Sequence, residues 1–393
     1  MENYLDTINT YIDENKKIMV ELWKDLVTME SYSKEYDRVN ALAEKLKLEF
    51  EKVGLECELI DSKGNAKTLV GTIGRERKGK PVLLCGHMDT VFPFGSFGET
   101  PFRIEDGKAF GPGVLDMKGG LVIALYVIKA LNQIGYNERP LKIVFSGDEE
   151  IGHTNSNGAD IILKQTQGGL CAFNLETGLP DNALCIGRKG NIDCHVNVTG
   201  MGAHVGNKFL DGKNAIEEMS YKVIELQKLT NLEEGIIVSV DIIKGGTVSN
   251  AIPATCQIEI DARFDRNDQI NGIKQRILDI CSKTFIEGTK TSVDFVNTIA
   301  PFETTEEVMN FYSFVNESAQ KNHFEPMGYK RLGGNSDASY LGMSGTPVLC
   351  SFGVIGEWNH TKKEYAIVDS LFERSNLIAS IILNLNEYKN QEI

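Results

Sequence analysis

PVLLCGHMDT, from Pro81 to Thr90, is apolar on every residue as far as Cys85 and then turns to glycine, histidine and aspartate. A strand that is apolar on both faces belongs in a sheet covered by helices on both sides. Three further runs share the texture: LKIVF from 141, CAFNL from 171 and TPVLCSF from 346. Between the first two lies a segment of helical character, Gly119–Ile134. Two amphipathic helices are predicted at the start of the chain, over Asn3–Met29 and Glu35–Val53, where apolar residues recur at spacings of three and four. The fold class this predicts is α/β, a mixed sheet between helices.

From about Gly187 to Asn297 the pattern changes. NIDCHVNV places Ile192, Cys194, Val196 and Val198 at alternate positions, and CQIEIDARF alternates in the same way, so these strands have one less covered face. Helical periodicity over 213–229 and 268–285, with strand-like GIIVSVDII and TSVDFV, completes the order β-α-β-β-α-β, a ferredoxin-like α+β unit. After Ala300 the buried texture returns. An inserted domain over 187–298 therefore interrupts a discontinuous one made of 1–186 and 299–393.

Composition narrows the function. At 393 residues, two domains are expected. A net charge of -14 argues against nucleic acid or an anionic membrane as partner, because phosphate rewards the opposite sign. The first residues, MENYLDTINTYIDENKK, lack the basic and apolar regions of a secretory signal, and the run LVIALYVIKAL from Leu121 is shorter than the roughly 20 residues that span a bilayer. Eight scattered cysteines without a C-x-x-C pair fit buried, reduced thiols. The expected compartment is the cytoplasm.

Open α/β sheets bind ligands beyond the carboxyl ends of their strands. Histidines and acids come after the apolar runs with unusual regularity: His87 and Asp89 after the first, Asp148-Glu149-Glu150 after the second, Glu176 after the third and His360 a short loop after the fourth. Asp116, in GPGVLDMKGG, opens the apolar helix. Imidazoles and carboxylates converging on one edge need a cation among them, and a divalent ion such as zinc takes this mixture of nitrogen and oxygen donors. Five ligands are too many for one catalytic zinc with an open position, so two ions sharing a carboxylate are expected. His87 and Asp89, two apart in extended chain, face the same way, so Asp89 is expected to accept the second ring N–H of His87. Of the three acids at 148–150, one can bind metal while a neighbour stays free as the general base. GPGVLD lacks the third glycine of a dinucleotide fingerprint, and no G-x-S-x-G elbow occurs.

The segments GHMDTV, GPGVLDMKGG, SGDEEIG, NLETG, VTGMGAHVGN, GGTVSNAIPATC, DARF, LGGNSDAS and NHTKKEY, in this order over most of the chain, resemble the M20 metallopeptidases. That group contains glutamate carboxypeptidase, succinyl-diaminopimelate desuccinylase, acetylornithine deacetylase and peptidase T. The resemblance implies a zinc-exopeptidase-like catalytic domain and a dimerisation or lid domain, with two zinc ions, cobalt or manganese being alternatives. His87 and Glu176 would hold one ion, Glu150 and His360 the other, and Asp116 would bridge. Asp89 would orient His87, and Glu149 would deprotonate the bridging water and later protonate the leaving amine. His204 of GAHVGN would reach the active site of the partner subunit of a homodimer. Asn250, Arg263, Arg331 and Gly334 match positions that hold the substrate's carboxylate, for which arginine's fork is suited. Trp358 and Lys362-Lys363 around His360 depart from the family's small or acidic residues.

The function this implies is cleavage of an amide bond in small peptides or N-acyl amino acids, closest to glutamate carboxypeptidase. Glu176, where the aminopeptidase branch usually carries aspartate, favours carboxypeptidase or deacylase chemistry. Desuccinylase or deacetylase activity is the nearest alternative, followed by a dipeptidase or tripeptidase. A catalytically silent metal-binding dimer is the alternative from another class, and Glu149 speaks against it, since ligands kept for structure need no extra acid beside them.

Overall fold

The computed structural model describes residues 2–64 and 66–388. The chain divides into two compact units: the first comprises 1–187, 304–332 and 336–393, the second 188–303 and 333–335.

The first unit is built on a six-stranded mixed sheet. Its strands lie in the order Glu56–Ile60, Thr68–Ile73, Leu141–Ser146, Val82–His87, Cys171–Asn174 and Val348–Leu349. The last four run parallel, and the two outer ones pair antiparallel. Every residue of Val82–His87 and of Cys171–Asn174 is buried, as the apolar runs Val82–Cys85 and Cys171–Phe173 lead one to expect. Helices Glu2–Thr28, Gly119–Gln133 and Val368–Leu383 pack together over the sheet, and Gly119–Gln133 is enclosed along most of its length. LVIALYVIKAL is thus a core helix; among the described residues no helix is long and apolar enough to cross a membrane. The first helix runs unbroken to Thr28, and the second occupies Tyr36–Glu51.

The second unit carries a four-stranded antiparallel sheet in the order Ile237–Gly245, Thr255–Phe264, Gly190–Thr199 and Lys290–Ile299. Helices Ala215–Gln227 and Gln269–Ser282 cover one face and share a core with Ile192, Cys194, Val196, Val198, Ile258 and Ile260. The alternation read from NIDCHVNV and CQIEIDARF marks the covered face. The arrangement is ferredoxin-like, with the first and third strands of the motif at the centre of the sheet. No disulfide joins any of the eight cysteines.

Candidate metal centre

The four parallel strands of the first unit end at one edge, and the centre is assembled from the residues at or just beyond those ends. His87 is the last residue of its strand and is buried. Leu141–Ser146, in parallel register beside it with Ser146 opposite His87, leads into the turn that carries Glu149 and Glu150. Glu176 comes two residues after Cys171–Asn174. The chain beyond Val348–Leu349 reaches His360, whose backbone sits in the left-handed region at φ 61°, a conformation that histidine adopts more readily than most residues. Asp116 lies in the tight turn Val114–Lys118, where the backbone of Asp116 and Met117 is not helical, just ahead of the Gly119 helix and not within it.

Two glycines let the surrounding elements close on Glu176. A Cβ on Gly120 would lie 2.2 Å from the carbonyl oxygen of Leu175, and one on Gly353 would lie 2.6 Å from that of Glu176. Only glycine permits backbones to approach that closely.

His87 Nε2 lies 3.1 Å from Asp116 Oδ1 and 3.7 Å from Glu176 Oε1. His360 Nε2 lies 3.3 Å from Asp116 Oδ2 and 3.0 Å from Glu150 Oε2. The two oxygens of Asp116 therefore face different imidazoles. Donor atoms of His87, Glu149 and Glu176 fall within 4.8 Å of one another, as do those of His87, Asp116 and Glu150. All five residues expected as ligands are brought together, with Glu149 among them.

The electrostatics have one cause. Burial works against a charge on His87, but hydrogen bonds to Asp116 and Asp89 and the charges of Glu176 and Glu149 outweigh it and hold the imidazole cationic well above its ordinary range. His360 is raised too, by its hydrogen bonds to Asp116 and Glu150. Burial lifts Glu149 well above a normal carboxyl, and the charges of Glu176, Asp337 and Glu150 add to the shift against the pull of His87. Glu150 is raised by burial and by Asp116. Burial opposes ionisation of Asp116 as well, yet its hydrogen bonds to His360 and His87 keep it below the usual carboxylate range. The centre concentrates negative charge and draws positive charge into itself. Divalent cations meet that demand, and the residues fit one: the donors are imidazole nitrogens and carboxylate oxygens, and the buried Glu150 Oε1 has no hydrogen-bond partner.

Asp89 makes more contacts than expected. The His87 Nδ1 is nearest the main-chain oxygen of Asp89, at 3.1 Å, with the carboxylate Oδ1 at 3.4 Å. The Asp89 carboxylate also accepts the amides of Glu149 and Glu150, at 3.2 and 3.1 Å, and holds their turn.

Three supporting residues escaped the sequence reading. The fully buried Glu364 accepts the amides of Leu115 and Asp116 and fixes the Asp116 turn. Asn359 donates to Asp116 Oδ2 at 3.0 Å, and Ser336 donates to Glu176 Oε1 at 3.3 Å. Each lies in a segment already singled out for its family pattern. Their roles depend on which way the chain turns, which spacing does not encode.

The remaining candidates have different surroundings. Arg331 is exposed on the Tyr329–Leu332 strand of the first unit. In the second unit, His204 is exposed, its Nδ1 accepting the amide of Gly206, and its backbone adjoins Asn250, whose carbonyl takes the amide of Val205. Arg263 is oriented by Asp261 through two hydrogen bonds of 2.7 and 2.6 Å, from Nε and Nη2. The Gly334 carbonyl accepts from Arg188, another residue the sequence reading passed over.

Comparison with known proteins bears on this centre. Residues 83–384 match the profile of peptidase family M20/M25/M40. Carboxypeptidase G2 of Pseudomonas sp. (strain RS-16) is 29% identical over 386 residues, 96% of this chain and 91% of that protein. A succinyl-diaminopimelate desuccinylase of Acidiphilium cryptum (strain JF-5) is 30% identical over 220 residues, 51% of this chain and 56% of that protein. Among solved structures, aminopeptidase PepT from Bacillus cereus superposes with a TM-score of 0.79 at 20% identity, covering 95% of this chain and 99% of that one; at this identity the likeness is one of fold.

Proposed function

The chain belongs to peptidase family M20/M25/M40 and is a metal-dependent hydrolase of that family, and from this premise we propose that it cleaves amide bonds in the manner of a glutamate carboxypeptidase, with two zinc ions at the centre formed by His87, Asp116, Glu150, Glu176 and His360. The observation that carries the reading is the division of Asp116, one oxygen toward His87 and the other toward His360. His87 with Glu176 would hold one ion and His360 with Glu150 the other, with Asp116 common to both; cobalt or manganese would suit the same donors. When bound, such ions supply Lewis acidity at the scissile carbonyl and lower the pKa of water.

The chain's own residues do the rest. Asp89 fixes the turn at 149–150 through both amides, which aims Glu149 without holding its carboxylate. Glu149, its carboxylate close to the donor atoms of His87 and Glu176, is the acid placed to serve as general base. It takes the proton of the attacking water and returns it to the leaving amine. Glu364 and Asn359 keep the Asp116 turn in place. The assignment of His204, Asn250, Arg263, Arg331 and Gly334 to substrate, and of a homodimer formed through the second unit, is supported by the family pattern.

Small peptides and N-acyl amino acids are the proposed substrates, the former favoured by the near full-length similarity to carboxypeptidase G2. The second reading, an N-acyl amino acid deacylase, is favoured by the similarity to desuccinylases. A hydrolysis panel of dipeptides and N-acyl amino acids, blocked in turn at each end, separates the two. Release of a C-terminal residue from N-blocked dipeptides supports the carboxypeptidase reading, preference for N-succinyl or N-acetyl amino acids supports the deacylase, and a strict need for a free α-amino group overturns both. Chelation should abolish turnover and zinc should restore it; turnover that survives chelation overturns the metal assignment.

A further inference from the structure

Directly behind the Glu149–Glu150 turn lies a second buried charge cluster. His153 is enclosed; its Nδ1 lies 2.7 Å from Asp148 Oδ1 and its Nε2 lies 2.7 Å from Asp337 Oδ1. Both carboxylates are buried, and their outer oxygens are taken by hydroxyls: Ser156 donates to Asp148 Oδ2 and Ser146 to Asp337 Oδ2, each at 2.5 Å. A ring with a carboxylate against each nitrogen must carry both protons. In keeping with this, the imidazole is held cationic well above its ordinary range, burial opposing and the charge of Asp337 and the hydrogen bond to Asp148 prevailing. The fit is close. A Cβ on Gly158 would lie 2.5 Å from His153 Nδ1 and 2.7 Å from Asp148 Oδ1, and the Tyr340 ring stands edge-on to the imidazole at 5.4 Å.

Stability does not account for such a triad. Buried ion networks contribute little net stability compared with apolar side chains of similar volume. What the network does have is position. Asp148 immediately precedes Glu149 and Glu150. Asp337 comes directly after Ser336, whose hydroxyl donates to Glu176 Oε1 and accepts from Asn174 Nδ2 at 2.9 Å. Ser146 ends the strand next to His87, and its carbonyl accepts the amide of Met88. One imidazole thus joins the turn bearing Glu149 and Glu150 to the turn that supports Glu176.

We infer that His153 is a positioning residue of the metal centre, a rigid cationic strut whose two N–H groups fix the distance between the Glu149–Glu150 turn and the Ser336–Asp337 turn. The inference rests on the metal reading proposed for the centre. Without the strut, two buried carboxylates face each other unneutralised and move apart, carrying a ligand, the base and the support of a second ligand with them. Partners that orient metal ligands typically account for about 10–100-fold in metal affinity or activity.

The test uses the full chain and zinc itself. His153→Gln and Asp337→Asn are compared with wild type for zinc affinity, by competition with a chromophoric chelator, and for kcat and KM separately. His87→Ala serves as the reference for a lost ligand. We expect each variant to lose about 10–100-fold in zinc affinity, with kcat falling and KM nearly unchanged. The double variant should be no worse than the weaker single one, because both changes break the same link. A purely structural role would lower the apo protein's thermal midpoint while leaving zinc affinity and kcat of the folded fraction intact. Wild-type zinc affinity and kcat in either folded variant overturns the inference. If His153→Gln does not fold, Asp337→Asn, which keeps the ring and its packing, decides alone. Zinc uptake that His87→Ala leaves untouched overturns the metal reading itself, and the inference with it.

Discussion

The two units bury charge in opposite ways. In the second, Lys222 and Glu218 are both fully enclosed and lie 2.8 Å apart. Glu218 also accepts the amides of Phe285 and Ile286, at 2.8 and 2.6 Å, and Lys222 donates to the carbonyls of Cys281 and Lys283. One cation meets one anion, backbone amides and carbonyls surround both, and the result ties the Ala215–Gln227 helix to the chain leaving Gln269–Ser282. In the first unit, the five acids Asp89, Asp116, Glu149, Glu150 and Glu176 gather around two imidazoles, His87 and His360. A balanced pair neutralises its own charge and is suited to holding structure. An unbalanced cluster stores a demand for further positive charge, and the proteins that tolerate its cost do so for chemistry.

Substitutions in each cluster should therefore read out differently. Glu149→Gln keeps the shape of the centre and removes the proton acceptor; kcat is expected to fall by roughly 10²–10⁴-fold, the usual contribution of a general base, while zinc affinity measured by chelator competition stays near wild type. Undiminished turnover would remove Glu149 from the chemistry and weaken the contrast. Lys222→Met makes the complementary break. It leaves Glu218 enclosed without its cation, so unfolding monitored by hydrogen exchange in the Ala215–Gln227 helix should become easier by about 3–5 kcal/mol, with zinc affinity unaffected. A change below about 1 kcal/mol, the worth of an exposed pair, would show that the Lys222–Glu218 pair is not a closed structural element.

The same contrast explains how much of the molecule could be read from the sequence. The sheet was legible because burial on both faces leaves an unbroken apolar run, as in Val82–Cys85, and the second unit because burial on one face leaves alternation, as in Ile192–Val198. The cluster of histidines and acids was legible because parallel strands end at one edge, so an acid or histidine after a run is carried to a common place. Glu364, Asn359, Ser336 and His153 were not legible. Each acts through a turn whose path is set by tertiary packing, including left-handed backbone at His153 and His360 and a helix seated on Gly120. The Asp89 carboxylate also reaches two amides, 60 and 61 residues further on, for the same reason. The orientation of Arg263 was not legible either: Asp261, two positions away on the same strand, holds its Nε and Nη2.

The smallest expected effect tests the balanced cluster through pH. Burial raises the proton affinity of Glu218, but the hydrogen bond from Lys222, the amide of Ile286 and the charge of Lys222 outweigh it, so the folded carboxyl ionises below its ordinary value of 4.5. A carboxyl depressed in this way contributes stability above its unfolded value and loses it as the pH falls through the folded one. The second unit should accordingly lose stability on acidification below about pH 4.5 in wild type. In Glu218→Gln, where nothing titrates at that position, the dependence should be shallower, although the starting stability is lower. Hydrogen exchange of the Ala215–Gln227 helix across this range measures the difference in slope. Parallel slopes would mean that Glu218 is not held ionised by Lys222. Charge balance alone would then no longer distinguish the structural pair from the cluster at the metal centre.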